Sequence, residues 1–137
     1  MSKAFPKEEY PHQELTGRII GAFFEVHQVL GYGLLESVYK RALAVELDFR
    51  GLKVTHEVPY PVVYRGVTVG TYRADQVVES AVIVESKTGI HLDPVSPAQT
   101  LRYLNASGLE VGLILHYGLR PTIKRMIRSR PHSIDTL

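Results

Sequence analysis

Ala81-Val82-Ile83-Val84-Glu85-Ser86-Lys87 is the stretch on which the fold turns. Four small or β-branched apolar residues in a row describe a strand buried on both faces. The run then ends in a carboxylate and an amine, which burial penalises unless they are paired or used. Side chains on a strand alternate, so Glu85 and Lys87 share a face while Ser86 points to the other. Upstream stands Arg73-Ala74-Asp75, on a segment where Thr71, Arg73, Asp75 and Val77 share a face by the same rule. If the two segments pair antiparallel across the tight connection at Glu79-Ser80, Asp75 comes beside Glu85. Two carboxylates and a lysine then converge at the edge of an apolar sheet. A divalent cation is the usual reason to keep two such acids ionised together.

Outward from this stretch, the N-terminal part of the chain is helical. After Pro11, residues Leu15, Ile19, Ala22, Phe23, Val26, Val29 and Leu30 recur at three- and four-residue steps, and Gly31 ends the helix. His27 lies close to that stripe and reads as a core-edge histidine. A second helix is expected from about Gly33 to Arg50, stopped by Gly51. Its expected buried stripe is Leu35, Val38, Ala42, Val45 and Phe49. Beside it runs a second row, Glu36, Tyr39, Leu43 and Glu46, which puts Glu36 and Tyr39 one turn apart at the core margin. A semi-buried Glu36 needs a partner.

From Leu52 the period becomes two. Strands are expected at 52–58, 62–64, 67–78, 81–87, 111–117 and 122–128, with Pro59 and Pro61 marking an edge or a break. Arg65-Gly66 reads as a hairpin turn, and Gly70 as a bulge or close backbone approach. Between the two apolar runs, Ser96-Pro97-Ala98-Gln99 has the form of a capping box opening a third helix, which runs to about Ser107 before Gly108. Gln99 and Tyr103, four apart, share a face of that helix. The second apolar run, Val111 to Leu115, ends at His116, whose role the sequence leaves open.

Bulk properties bound the rest. At 137 residues the chain reads as one domain over 1–137, with loose tails at 1–10 and 131–137. No apolar run approaches the ~18 residues that span a bilayer, and the N-terminus is polar, so no membrane role is expected. With no cysteines, disulfides and thiolate metal sites are excluded and a cytoplasmic location is expected. The net charge is only +2, but Val111 to Ile134 holds no acid while carrying Arg120, Lys124, Arg125, Arg128 and Arg130. Such a segment is either a solvated basic face or a surface that meets phosphates.

The spacing of Asp75, Glu85 and Lys87 resembles the PD-(D/E)XK nuclease superfamily, with Ala74 in the place of the motif's proline, which removes no ligand. Gly33-Leu34-Leu35-Glu36-Ser37-Val38-Tyr39 resembles the motif that names the GxxExxY proteins, a bacterial and archaeal group within that superfamily. The approach Val26-His27-Gln28-Val29-Leu30-Gly31 and the run Arg41 to Leu47 follow the same order, so the resemblance extends from about Ile19 to Arg128. Gln99-Thr100-Leu101-Arg102-Tyr103 is similar to the Q-x-x-x-Y motif of RecB-like exonucleases, although a capping box explains Gln99 equally well.

The resemblance implies an α/β (α+β) fold of restriction-endonuclease-like type, a mixed central sheet flanked by two N-terminal helices and one later helix. It implies a nuclease that hydrolyses phosphodiester bonds with Mg²⁺ or Mn²⁺. Asp75, Glu85 and the carbonyl of Ser86 would be ligands, with Glu36 completing the shell directly or through a water. Lys87 would lower the pKa of the attacking water or stabilise charge on the phosphate, with Tyr39, Gln99, Tyr103 and Arg73 lining the site. Nucleic acid is the implied partner, DNA favoured over RNA, with Arg120, Lys124, Arg125 and Arg128 as its contacts. Exposed edge strands are compatible with a homodimer. The rivals are non-catalytic modules on the same fold: a nucleic-acid-binding or assembly module, or a protein-interaction domain in which the carboxylates form a structural ion-pair network with Lys87 and Arg73.

Overall fold

The apolar runs pair as one sheet. In the computed structural model, which describes residues 10–128, β1 (Val54–Tyr64), β2 (Val67–Val78), β3 (Val82–Thr88), β4 (Val111–Tyr117) and β5 (Pro121–Ile127) lie side by side in chain order. Neighbours are antiparallel except β3 and β4, which run parallel. A parallel pair needs a crossover, and α3 (Ser96–Ser107) supplies it. The helices α1 (Gln13–Leu30) and α2 (Glu36–Phe49) pack on one face of the sheet, against Val82, Val84, Leu113 and Leu115. On the other face Leu104 of α3 meets Ile83 and Val77. This is a restriction-endonuclease-like α+β fold. The tails expected at 1–10 and 131–137 lie outside the described residues, Tyr10 apart.

Gly112 fixes how closely α3 approaches. A Cβ there would stand 2.8 Å from Thr100 Cγ2, closer than packed carbons tolerate, so the bare backbone of β4 lets α3 settle onto the sheet. His116 ties the same region together: Nε2 lies 2.9 Å from the Gly89 carbonyl and Nδ1 3.3 Å from Thr122 Oγ1.

Several expectations are corrected. β1 is one strand through Pro59 and Pro61 rather than two, because it is an edge strand and proline's missing N–H can face outward. The bulge expected at Gly70 falls one residue earlier: Val62 pairs with Gly70 and Val63 with Thr68, leaving Val69 extra. α3 starts at Ser96 itself, with Val95 at the cap position and no side-chain cap, so the capping box does not form.

The largest correction concerns α2. It begins at Glu36, and its buried row is Tyr39, Leu43 and Leu47. The expected stripe is turned outward, with Leu35, Val38, Val45 and Phe49 all exposed. Tyr39 is the cause. Its ring stacks on Tyr117 at 4.2 Å between centroids, its hydroxyl donates to the Gly31 carbonyl at 2.5 Å, and Leu34 N–H donates to that hydroxyl at 3.2 Å. These bonds staple the Gly31–Leu35 loop, where Gly33 adopts φ 104°, and fix the rotation of the helix.

Candidate active site

β2 and β3 pair at Val78–Val82, Val77–Ile83 and Gln76–Val84, and no farther. β2 stays paired with β1 as far as Val67, so the β1–β2 hairpin runs on past the point where β3 parts from it. The next residues on either side of this fork are Asp75 and Glu85. A cleft of about 610 Å³ opens there. Asp75, Glu85 and Lys87 line it from the strands, Glu36 from the start of α2, and Gln99 and Tyr103 from α3.

Regular alternation does not survive the fork. Tyr72 and Ala74 pack in the same cluster as Val77, although their parity is opposite. Glu57, at φ 52°, and Asp75 opposite it are the residues that the ladder skips between the His56–Gln76 and Val58–Ala74 pairs. Beyond that irregularity Tyr72 lines the site, although alternation puts it on the face opposite to Thr71, Arg73, Asp75 and Val77.

Glu85 is 6% exposed. The Tyr72 hydroxyl donates a short hydrogen bond to its Oε1, and the Tyr72 ring stacks on Tyr103 at 3.5 Å and 6°. Tyr103 therefore acts on the carboxylate through Tyr72. Burial, above all, pushes the Glu85 carboxyl up to about 8. Asp75 raises it further through charge and a side-chain hydrogen bond, while the Tyr72 hydroxyl and the Lys87 ammonium pull it down. The Tyr72 phenol is itself raised, first by burial and then by the Glu85 charge.

Asp75 makes an ion pair with Lys40 of α2 at 3.4 Å. Neither Tyr72 nor Lys40 was legible as a site residue: strict alternation puts Tyr72 on the wrong face, and Lys40 had no sequence signal beyond standing next to Tyr39. Arg73 lines the cleft from an exposed position, and Lys87 is half-buried in it. Gln99, freed from the capping role, faces the same space. Among the described residues, no three Asp, Glu or His side chains converge into a ready metal-holding cluster. Glu36 thus shares the cleft with the Asp75–Glu85 pair without closing a triad.

Other expected site residues lie elsewhere. Tyr39 is fully buried in the core and does not line the cleft. The Ser86 side chain is buried on the opposite face, as alternation along the strand predicts, beside the Tyr117 hydroxyl, and the expectation for this residue concerns its main-chain carbonyl. His27 Nε2 lies 2.7 Å from the Gly118 carbonyl, as a core-edge histidine should. The basic residues do not make one face. Arg125 stacks over the Tyr10 ring at 4.4 Å, and Arg128 donates to the Leu109 and Gly108 carbonyls at the end of α3. Arg120 and Lys124 are exposed.

A mixed five-stranded sheet, helices on both faces and an acidic pair with a lysine at the fork of its central strands define a domain of the restriction-endonuclease class. The chain belongs to the PD-(D/E)XK nuclease superfamily, whose pattern it matches over residues 13–128. It is similar to the crystal structure of SSO0001, with 17% identity and a TM-score of 0.52 over 88% of this chain. That likeness is one of fold, and the match covers 60% of the SSO0001 chain. No curated protein matches. No helix among the described residues is long and apolar enough to cross a membrane.

Proposed function

We propose that the chain is a metal-dependent nuclease of the GxxExxY type, hydrolysing phosphodiester bonds in nucleic acid, DNA in preference to RNA. The observation that carries this reading is the fork: two carboxylates meet there in a cleft that Lys87 also lines. Burial and the Asp75 charge both oppose ionisation of Glu85, so without a cation the pair favours holding a proton, which a divalent cation would displace. The donors are hard oxygens, which fit Mg²⁺ or Mn²⁺, ions that take one or two carboxylates and fill the remaining positions with water and phosphate. Asp75, Glu85 and the main-chain carbonyl of Ser86 would hold the ion, with Glu36 reaching it through water. Bound there, the ion would supply polarisation of the phosphoryl oxygen and a more acidic water.

The chain's own residues do the rest. Lys87 offsets charge developing on the phosphate and lowers the cost of deprotonating a water beside Glu85. Tyr72, clamped by Tyr103, holds Glu85 in one orientation. Arg73 and Gln99 on the cleft walls meet phosphate or sugar oxygens, and Arg120 and Lys124 add attraction without sequence reading. The Lys40–Asp75 ion pair favours a second reading, a non-catalytic binding module in which Lys40 replaces the cation.

Calorimetric titration of Mn²⁺ into wild type and Glu85→Gln, beside cleavage assays on single-stranded DNA, duplex DNA and RNA, separates the two. Micromolar to millimolar binding and cleavage that both vanish in Glu85→Gln are expected. No Mn²⁺ binding by wild type at neutral pH would leave the module.

A further inference from the structure

Two apolar rows run along α2, and the fold buries one. The other, Leu35, Val38, Ala42, Val45 and Phe49, advances by alternating steps of three and four, the spacing of a helix-pairing seam. It is mostly bare: Leu35 is 73% exposed, Val38 41%, Val45 71% and Phe49 84%, and only Ala42 is partly buried against the core. Val29 of α1, 69% exposed, continues the patch, and a shallow groove between the helices joins Val29 to Ala42 and Val45. Isolated apolar residues on a surface are ordinary, but a contiguous row in helical register is not.

We propose that this face is the contact between two copies of the chain, α2 packing along α2 of the second copy. Area supports that occupant. At these exposures the row and its α1 neighbours present on the order of 700 Å² per copy, close to the roughly 800 Å² that each partner gives a stable interface. A seam read from one helix is complementary to itself, as a twofold contact requires. Ala42 at its middle lets the two backbones approach. Charge agrees as well. Arg41 and Glu46 flank the row on opposite sides, five residues apart, the offset at which flanking charges pair between parallel helices. Arg50 holds Glu46 at 2.7 Å and keeps it along that flank. None of the cleft residues belongs to the row, so the inference stands apart from the nuclease reading.

Sedimentation equilibrium on the full 137-residue chain tests it. Wild type should have twice the chain mass at micromolar concentration. Val45→Asp and Phe49→Asp, at positions that are exposed in the single chain, should keep the far-UV circular dichroism and weaken the dimer by roughly 100-fold or more. A wild type that stays monomeric at the highest soluble concentration overturns the proposal, and so does a dimer that survives both substitutions. Should either variant disturb α2, the wild-type mass alone decides.

Discussion

The same two strands make the tightest and the most open parts of the molecule. On one side of the Gln76–Val84 pair, β2 and β3 are hydrogen-bonded and fully apolar, with Val78, Val82, Ile83 and Val84 at zero exposure. On the other side they separate, and the next residues along are Asp75 and Glu85. Pairing satisfies backbone groups and leaves room only for packed side chains. Parting exposes a cleft where charged groups can be approached by a ligand. The charged groups sit at the end of the pairing, where the closed half holds the open half in place. Two carboxyl groups can be held side by side there because the packed core next to them fixes both strands.

If the closed half is the rigid support, damage there should cost stability without touching the chemistry of molecules that still fold. Ile83 packs against Val77, Tyr72 and Leu104 with no exposure. Truncation by Ile83→Ala should lower unfolding free energy by about 3 kcal/mol, the usual cost of a cavity in a well-packed core. Urea denaturation measures this. A loss under about 1 kcal/mol would mean that the closed half is not packed as described.

The closed half was legible in the sequence and the open half only partly so. Runs such as Val82-Ile83-Val84 and Val111 to Leu115 announce buried strands whatever surrounds them. Asp75, Glu85 and Lys87 could be found because their spacing follows from strand pairing. Tyr72 could not, since a local break in alternation, at Asp75 and the positive-φ Glu57 opposite it, decides where its ring points. Helix rotation was equally hidden. α2 has two apolar rows of similar quality, and the inward one is marked by the Tyr39 stack on Tyr117 and by the bonds of the Tyr39 hydroxyl to the Gly31–Leu35 loop, which periodicity does not show. The masquerading capping box at Ser96 shows the same limit. The residues matched the motif, while the helix began a position earlier than the motif requires.

The open half should reveal itself through pH. In the folded chain without metal, Glu85 is raised from 4.5 to about 8. A group whose folded value lies above its unfolded one contributes stability that is complete below the unfolded value and is lost as pH climbs through the folded one. Wild type in EDTA should therefore lose stability between about pH 4.5 and 8. Glu85→Gln, which cannot ionise, should gain on it over that window by on the order of 2 kcal/mol. Thermal melts of both proteins from pH 5 to 8 give the comparison. Parallel curves would mean that Glu85 is not buried against Asp75, and the contrast between the two halves would fail at its centre.

The smallest effect is the sharpest test of how the open half is held. Tyr72→Phe keeps the ring on Tyr103 and removes only the hydroxyl that donates to Glu85. Near pH 5 the acceptor is a neutral carboxyl, and the loss should be about 1 kcal/mol, the ordinary worth of a buried hydrogen bond. Above pH 8 the acceptor is a carboxylate, the bond is charge-assisted, and the loss should grow to roughly twice that. The sign follows from the same titration: Tyr72 favours the charged form of Glu85, so removing it costs most where that form prevails. Melts of Tyr72→Phe against wild type at the two pH values, again in EDTA, read the difference directly. A cost independent of pH would show a tyrosine that merely fills space under α3. A cost that rises with pH would show the aromatic stack acting on the carboxylate, and would extend the support of the closed half, through Tyr103 and Tyr72, into the cleft itself.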